Sequence, residues 1–80
     1  MSYVESENYG EVMMRNLRAV RAQVLEGDMS ASALIGQQTL LLILREDAVF
    51  KKFANADMHT ELRTLLVDVS AAIDAKIRGL

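Results

Sequence analysis

The chain has 80 residues, 51% hydrophobic and 25% charged, a balance that folds rather than staying disordered and leaves room for one domain without a separate catalytic lobe. Nine Lys plus Arg against eleven Asp plus Glu give a net charge of −2, which argues against a protein whose main task is gripping a polyanion. The absence of Cys excludes a disulfide framework, a thiolate zinc site and a cysteine nucleophile, and with no Pro and only four Gly nothing divides the chain into many short strands.

Apolar residues recur at helical spacing in three stretches. In the first, Met13, Leu17, Val20 and Val24 step by four, three and four, and Met14 and Leu25 widen the stripe. Ser2 with Glu5, or Asn8 with Glu11, can cap its start, and Gly10 weakens the segment between those caps, so the firm helix is placed at about 9–26. Gly27 supplies the left-handed position that closes it. Asp28 or Ser30 caps the second helix, expected at about 31–53 with Gly36 tolerated inside. Asn55 and Asp57 open the third, at about 57–78, where Met58, Leu62, Leu65, Leu66, Val69, Ala72, Ile73, Ile77 and Leu80 share one broad face and Gly79 stops the helix. The joints near 27–30 and 54–57 are short enough to force consecutive helices antiparallel. The predicted fold is all-α: a small three-helix antiparallel bundle, one domain over 1–80, with 1–8 as a flexible N-terminal segment.

The middle helix differs in kind. On a wheel of 100° per residue it carries three apolar stripes: Leu34, Leu41, Leu44 and Ala48; then Ala31, Ile35, Leu42, Val49 and Phe53; and Ile43 with Phe50 opposite the first. A narrow polar line of Gln38, Arg45 and Lys52 runs between the first two. A helix apolar on most sides is normally buried on most sides, yet two neighbours cover about half of its circumference. Fully burying a Leu, Ile or Phe contributes on the order of 1.5–3 kcal/mol, so three left in water forfeit stability comparable to the 5–15 kcal/mol or so of a whole small domain. Ile35, Leu42, Ile43, Val49, Phe50 and Phe53 are therefore the expected protein interface, in a homo-oligomer (a dimer first) or against another protein. The competing expectation is a monomer whose middle helix is shielded by long neighbouring side chains.

Little else carries chemistry. His59 stands near Asp57 and Glu61, but residues two apart on a helix point away from each other, and the reading is a surface histidine in a helix's first turn. Arg15, Arg18 and Arg21 step by three along the first helix, a ridge suited to an acidic partner or to phosphates. With no Trp, two Phe and two Tyr there is no stacking platform for single strands. Ser30, Ser32 and Ser70 have no nearby His, no glycine-rich phosphate loop is present, and no set of acid, base and nucleophile assembles. No catalytic, cofactor or metal residue is expected.

The start lacks the basic and apolar regions of a secretory signal, and the longest apolar run, Leu40 to Leu44, falls far short of the roughly 20 residues a membrane span needs. Cytoplasm is the expected location. The expected function is a non-enzymatic helical interaction module, an adaptor, regulator or chaperone-like subunit acting through its central helix. The alternatives are a nucleic-acid-binding regulator using the Arg15/Arg18/Arg21 ridge, and an export-apparatus or filament subunit.

Overall fold

The helix ends fall where the sequence supplies caps. The computed structural model describes residues 5–79 and contains four helices: α1 (Glu5–Glu26), α2 (Ala31–Glu46), α3 (Ala48–Phe53) and α4 (Ala56–Arg78). Gly27 at φ +82° and Gly79 at φ +78° adopt the left-handed conformation that ends α1 and α4, an arrangement other residues take only with strain. Ser30 Oγ accepts the Ala33 N–H at 3.1 Å, and Asn55 Oδ1 accepts the Met58 N–H at 2.9 Å, so each opens its helix as expected. The cap proposed at Ser2, residues 1–4 of the expected flexible segment and Leu80 lie outside the described residues. From Glu5 onward the backbone is already helical, and Asn8 lies within α1 instead of capping it.

The expected unbroken helix over 31–53 is two helices. Asp47 sits at φ −68°, ψ 135°, an extended conformation, ending α2 and opening α3. Its Oδ2 accepts the N–H groups of both Val49 and Phe50 at 3.0 Å. An aspartate carboxylate competes with the helical backbone for those donors, which is why such residues favour caps over helix interiors. The break also resets the helical phase. Phe50, seven residues after Ile43 and on its face in a continuous helix, instead turns inward and is fully buried.

The order of packing differs too. The middle helix of the sequence is not the middle of the fold: α4 packs against both α1 and α2, while α1 and α2 hardly touch each other. Side chains fix the directions. A Cβ on Gly10 would meet Met58 Sδ at 3.7 Å, Arg21 reaches Glu61 and Asp68, and Lys76 Nζ donates to the Gly27 carbonyl at 3.1 Å, so α1 and α4 run parallel. Gln38 Nε2 donates to Ser70 Oγ at 3.1 Å, and Arg45 lies beside His59 and Arg63, so α2 runs antiparallel to α4. The short α3 closes one end, its Phe53 ring 6.0 Å from that of Tyr9. The core comprises Leu17 and Val24 of α1, Leu34 and Leu41 of α2, Phe50 of α3, and Met58, Leu62, Leu65 and Val69 of α4. The result is a rod of 47 × 21 × 20 Å with α2 on its flank.

Candidate interaction surface

Because α2 leans on α4 through one stripe, only Leu34 and Leu41 of its sixteen residues are buried, with Leu44 packed against the core edge. The other apolar residues look outward. Of the expected interface, Ile35 is 47% exposed, Leu42 38%, Ile43 61%, Val49 47% and Phe53 39%, whereas Phe50 is at 0%. Phe50 therefore belongs to the core and not to any contact surface, for the reason given by the break at Asp47. Its ring meets the His59 imidazole edge-on at 5.1 Å.

On α2 itself, Ile35, Thr39, Leu42 and Ile43 fall within one sector of the wheel, and Glu46 completes it. Thr39, Leu42, Ile43, Glu46, Asp47 and Ala48 line a shallow open depression at the junction of α2 and α3. No residue from Ala31 to Leu44 carries a charge. The hydroxyl of Thr39, at the centre of this sector, donates to the Ile35 carbonyl of its own helix at 3.0 Å. Covering that hydroxyl therefore strands no donor. A Cβ at Gly36 would meet no atom within 4 Å, leaving a notch one side chain wide beside the sector. At its far edge Glu46 hydrogen-bonds to Lys51 at 3.1 Å, and this ammonium, aided by Arg45, holds the Glu46 carboxyl below its ordinary range.

The Arg ridge divides. Arg21 is spent within the fold: its Nε donates to Asp68 Oδ2 at 2.9 Å, and its Nη1 lies 3.7 Å from Glu61 Oε2, a buried oxygen with no hydrogen bond of its own. Arg15 and Arg18 are exposed and, among the described residues, form no ion pair. A row of three cations is thus reduced to two, beside Glu11 in the same shallow groove. His59 is half-buried and shares a dent with Arg45, Leu62, Arg63 and Leu66.

Val12, Leu25, Leu40, Val67 and Ile77 are exposed as well, Leu25 and Ile77 against the expectation that they widen or share the apolar faces of their helices. Single exposed apolar side chains are ordinary, but several on one uncharged helical sector are not. Among the described residues no three His, Cys, Asp or Glu gather to hold a metal ion, and no helix is long and apolar enough to cross a membrane. No family model, curated protein or solved structure matches the chain.

Proposed function

We propose that the protein is a non-enzymatic helical interaction module whose working surface is the outward side of α2 and α3. The single observation that supports this reading is the exposure of Ile35, Leu42 and Ile43 on one sector of α2, a helix uncharged from Ala31 to Leu44, with Val49 and Phe53 also exposed on the short α3 just beyond it. The exposed part of those side chains contributes nothing to the fold while it faces water. Contact with another helical surface returns the lost burial at about 25 cal/mol per Å² of apolar area, so the surface is worth more in a complex than alone. Arg15 and Arg18 lie on a different helix and act, in this reading, on encounter and orientation rather than on affinity.

The test is site-specific photo-crosslinking in living cells. A photoreactive residue at position 43, in the apolar sector, is compared with one at position 74, where Asp74 is exposed and pairs with Arg78. The reading expects discrete protein adducts from position 43 and few from position 74. Equal or absent adducts at the two positions would end it.

A further inference from the structure

Resting on that reading, we propose that the occupant of the α2 face is a second copy of the chain, packed antiparallel through a two-fold axis at Thr39. Two observations carry this. The first is charge. An isologous interface sets each residue against its own counterpart set, so any net charge on the patch would face itself. This patch is neutral from Ala31 to Leu44 and meets a copy without repulsion. Its charges lie beyond the C-terminal end, at Arg45 and Glu46. A parallel pair would set each of these against its like. An antiparallel pair brings Glu46 to the start of the other α2, whose first turn carries no acid of its own, where the helix dipole favours a carboxylate.

The second is shape. Thr39 is central to the sector both along the helix and around it. A dyad there sets Ile35 against Ile43 of the other copy and brings that same Ile43 to the flank on which Gly36 lies. The space at Gly36 is open to receive a side chain, and the Ile43 that would enter it from the other copy is well exposed. At the dyad the Thr39 hydroxyls are already satisfied by Ile35 carbonyls, so closing the contact orphans no polar group. The face is small, so the pair is weak and exchanges readily.

The full chain has no Cys, so one engineered cysteine reports without background. Under mild oxidation Thr39→Cys should crosslink to itself in good yield, and Ile43→Cys alone should not. An equal mixture of Ile35→Cys and Ile43→Cys should give the mixed dimer. Light scattering after size exclusion should find a dimer for the natural chain at high micromolar concentration. Gly36→Leu fills the notch, and should weaken the dimer at least tenfold while raising the urea midpoint of the dilute, monomeric chain. Three results overturn the proposal: a monomer at all soluble concentrations, self-crosslinking at position 43 equal to that at 39, or an open series of larger oligomers. A monomer whose position 43 still captures a different protein in cells removes the dimer and leaves the interaction module standing. A monomer with no adducts removes both.

Discussion

Replacing Asp47 with Ala removes the acceptor of two backbone N–H groups, those of Val49 and Phe50, each at 3.0 Å. Loss of an N-cap side chain costs about 0.5–2 kcal/mol, and a double acceptor lies toward the upper end. Asp47 is itself extended, so helix propensity does not offset this, and the loss is about 1 kcal/mol or more. For a domain of this size that lowers Tm by about 4–8 °C. Asp47→Asn keeps an acceptor oxygen and should lose less than half as much. Phe50→Ala, which empties the site of a fully buried ring, should cost about 3–5 kcal/mol. If the cap matters because it turns Phe50 inward, the double variant should fall short of the sum by at least about 0.5 kcal/mol. Urea unfolding followed by circular dichroism at one fixed protein concentration measures all four. An Asp47→Ala chain as stable as the natural one, with added helical signal, would refute the reasoning: residues 31–53 would then prefer one continuous helix and the break would have no energetic origin.

Other substitutions test the joints between helices. Arg21→Ala and Asp68→Asn should each cost about 1 kcal/mol, because their 2.9 Å hydrogen bond is only part-buried and solvent screens it, and the loss should shrink at high salt; Arg78→Ala, at an exposed pair, should cost less than half as much. Gly27→Ala forces a side chain into φ +82° and should destabilise by about 1 kcal/mol in the same urea assay, despite open space around the site. Burial, and secondarily the Asp47 carboxylate, raise Tyr9 above its ordinary value of 10.0, so this group favours the fold fully below that value and the benefit is lost as pH rises through the higher folded value. Phenolate absorbance, with Tyr9→Phe as the reference, should show one tyrosine titrating late, and Asp47→Asn should bring it part of the way back; a Tyr9 that titrates at its ordinary value in the folded chain would contradict its burial.

Much of the fold was legible because its signals are local. Gly27, Ser30, Asn55 and Gly79 act through their own backbone angles or through donors three residues away, and each sits where periodicity and capping rules placed it. The break at Asp47 had the same kind of signal, an aspartate with two N–H donors just ahead, but the apolar run across it reads equally as one helix, and Phe50 was assigned to the surface as a consequence. What no local signal contains is the order of packing. Of the six residues expected at an interface, five are exposed, which a count of apolar sectors suffices to read. The Arg ridge misled at Arg21 because its partners, Glu61 and Asp68, lie on a helix forty or more residues away.

Why α4 rather than α2 occupies the middle follows from what borders each apolar face. A helix clamped on two sides must have its apolar sector edged by groups that can pair with both neighbours, because polar atoms at those seams lose water when the helices close. On α4 one edge carries Glu61 and Asp68, which take Arg21 from α1, and the other carries Ser70, which takes Gln38 from α2. Between these edges lie Met58, Leu62, Leu65 and Val69, all buried. On α2 the apolar residues spread around the helix with one such border: among the described residues, Gln38 is the single polar side chain of its interior that hydrogen-bonds to another helix. Setting α2 between α1 and α4 would close a second seam without polar partners on its side, and would bare the matched face of α4 instead. The chain keeps the helix that has two finished edges inside and leaves outside the one that has only one. The outward apolar residues of α2 thus go with its shortage of polar borders: with Gln38 alone to pair across a seam, the helix packs through one stripe and leaves the rest outside.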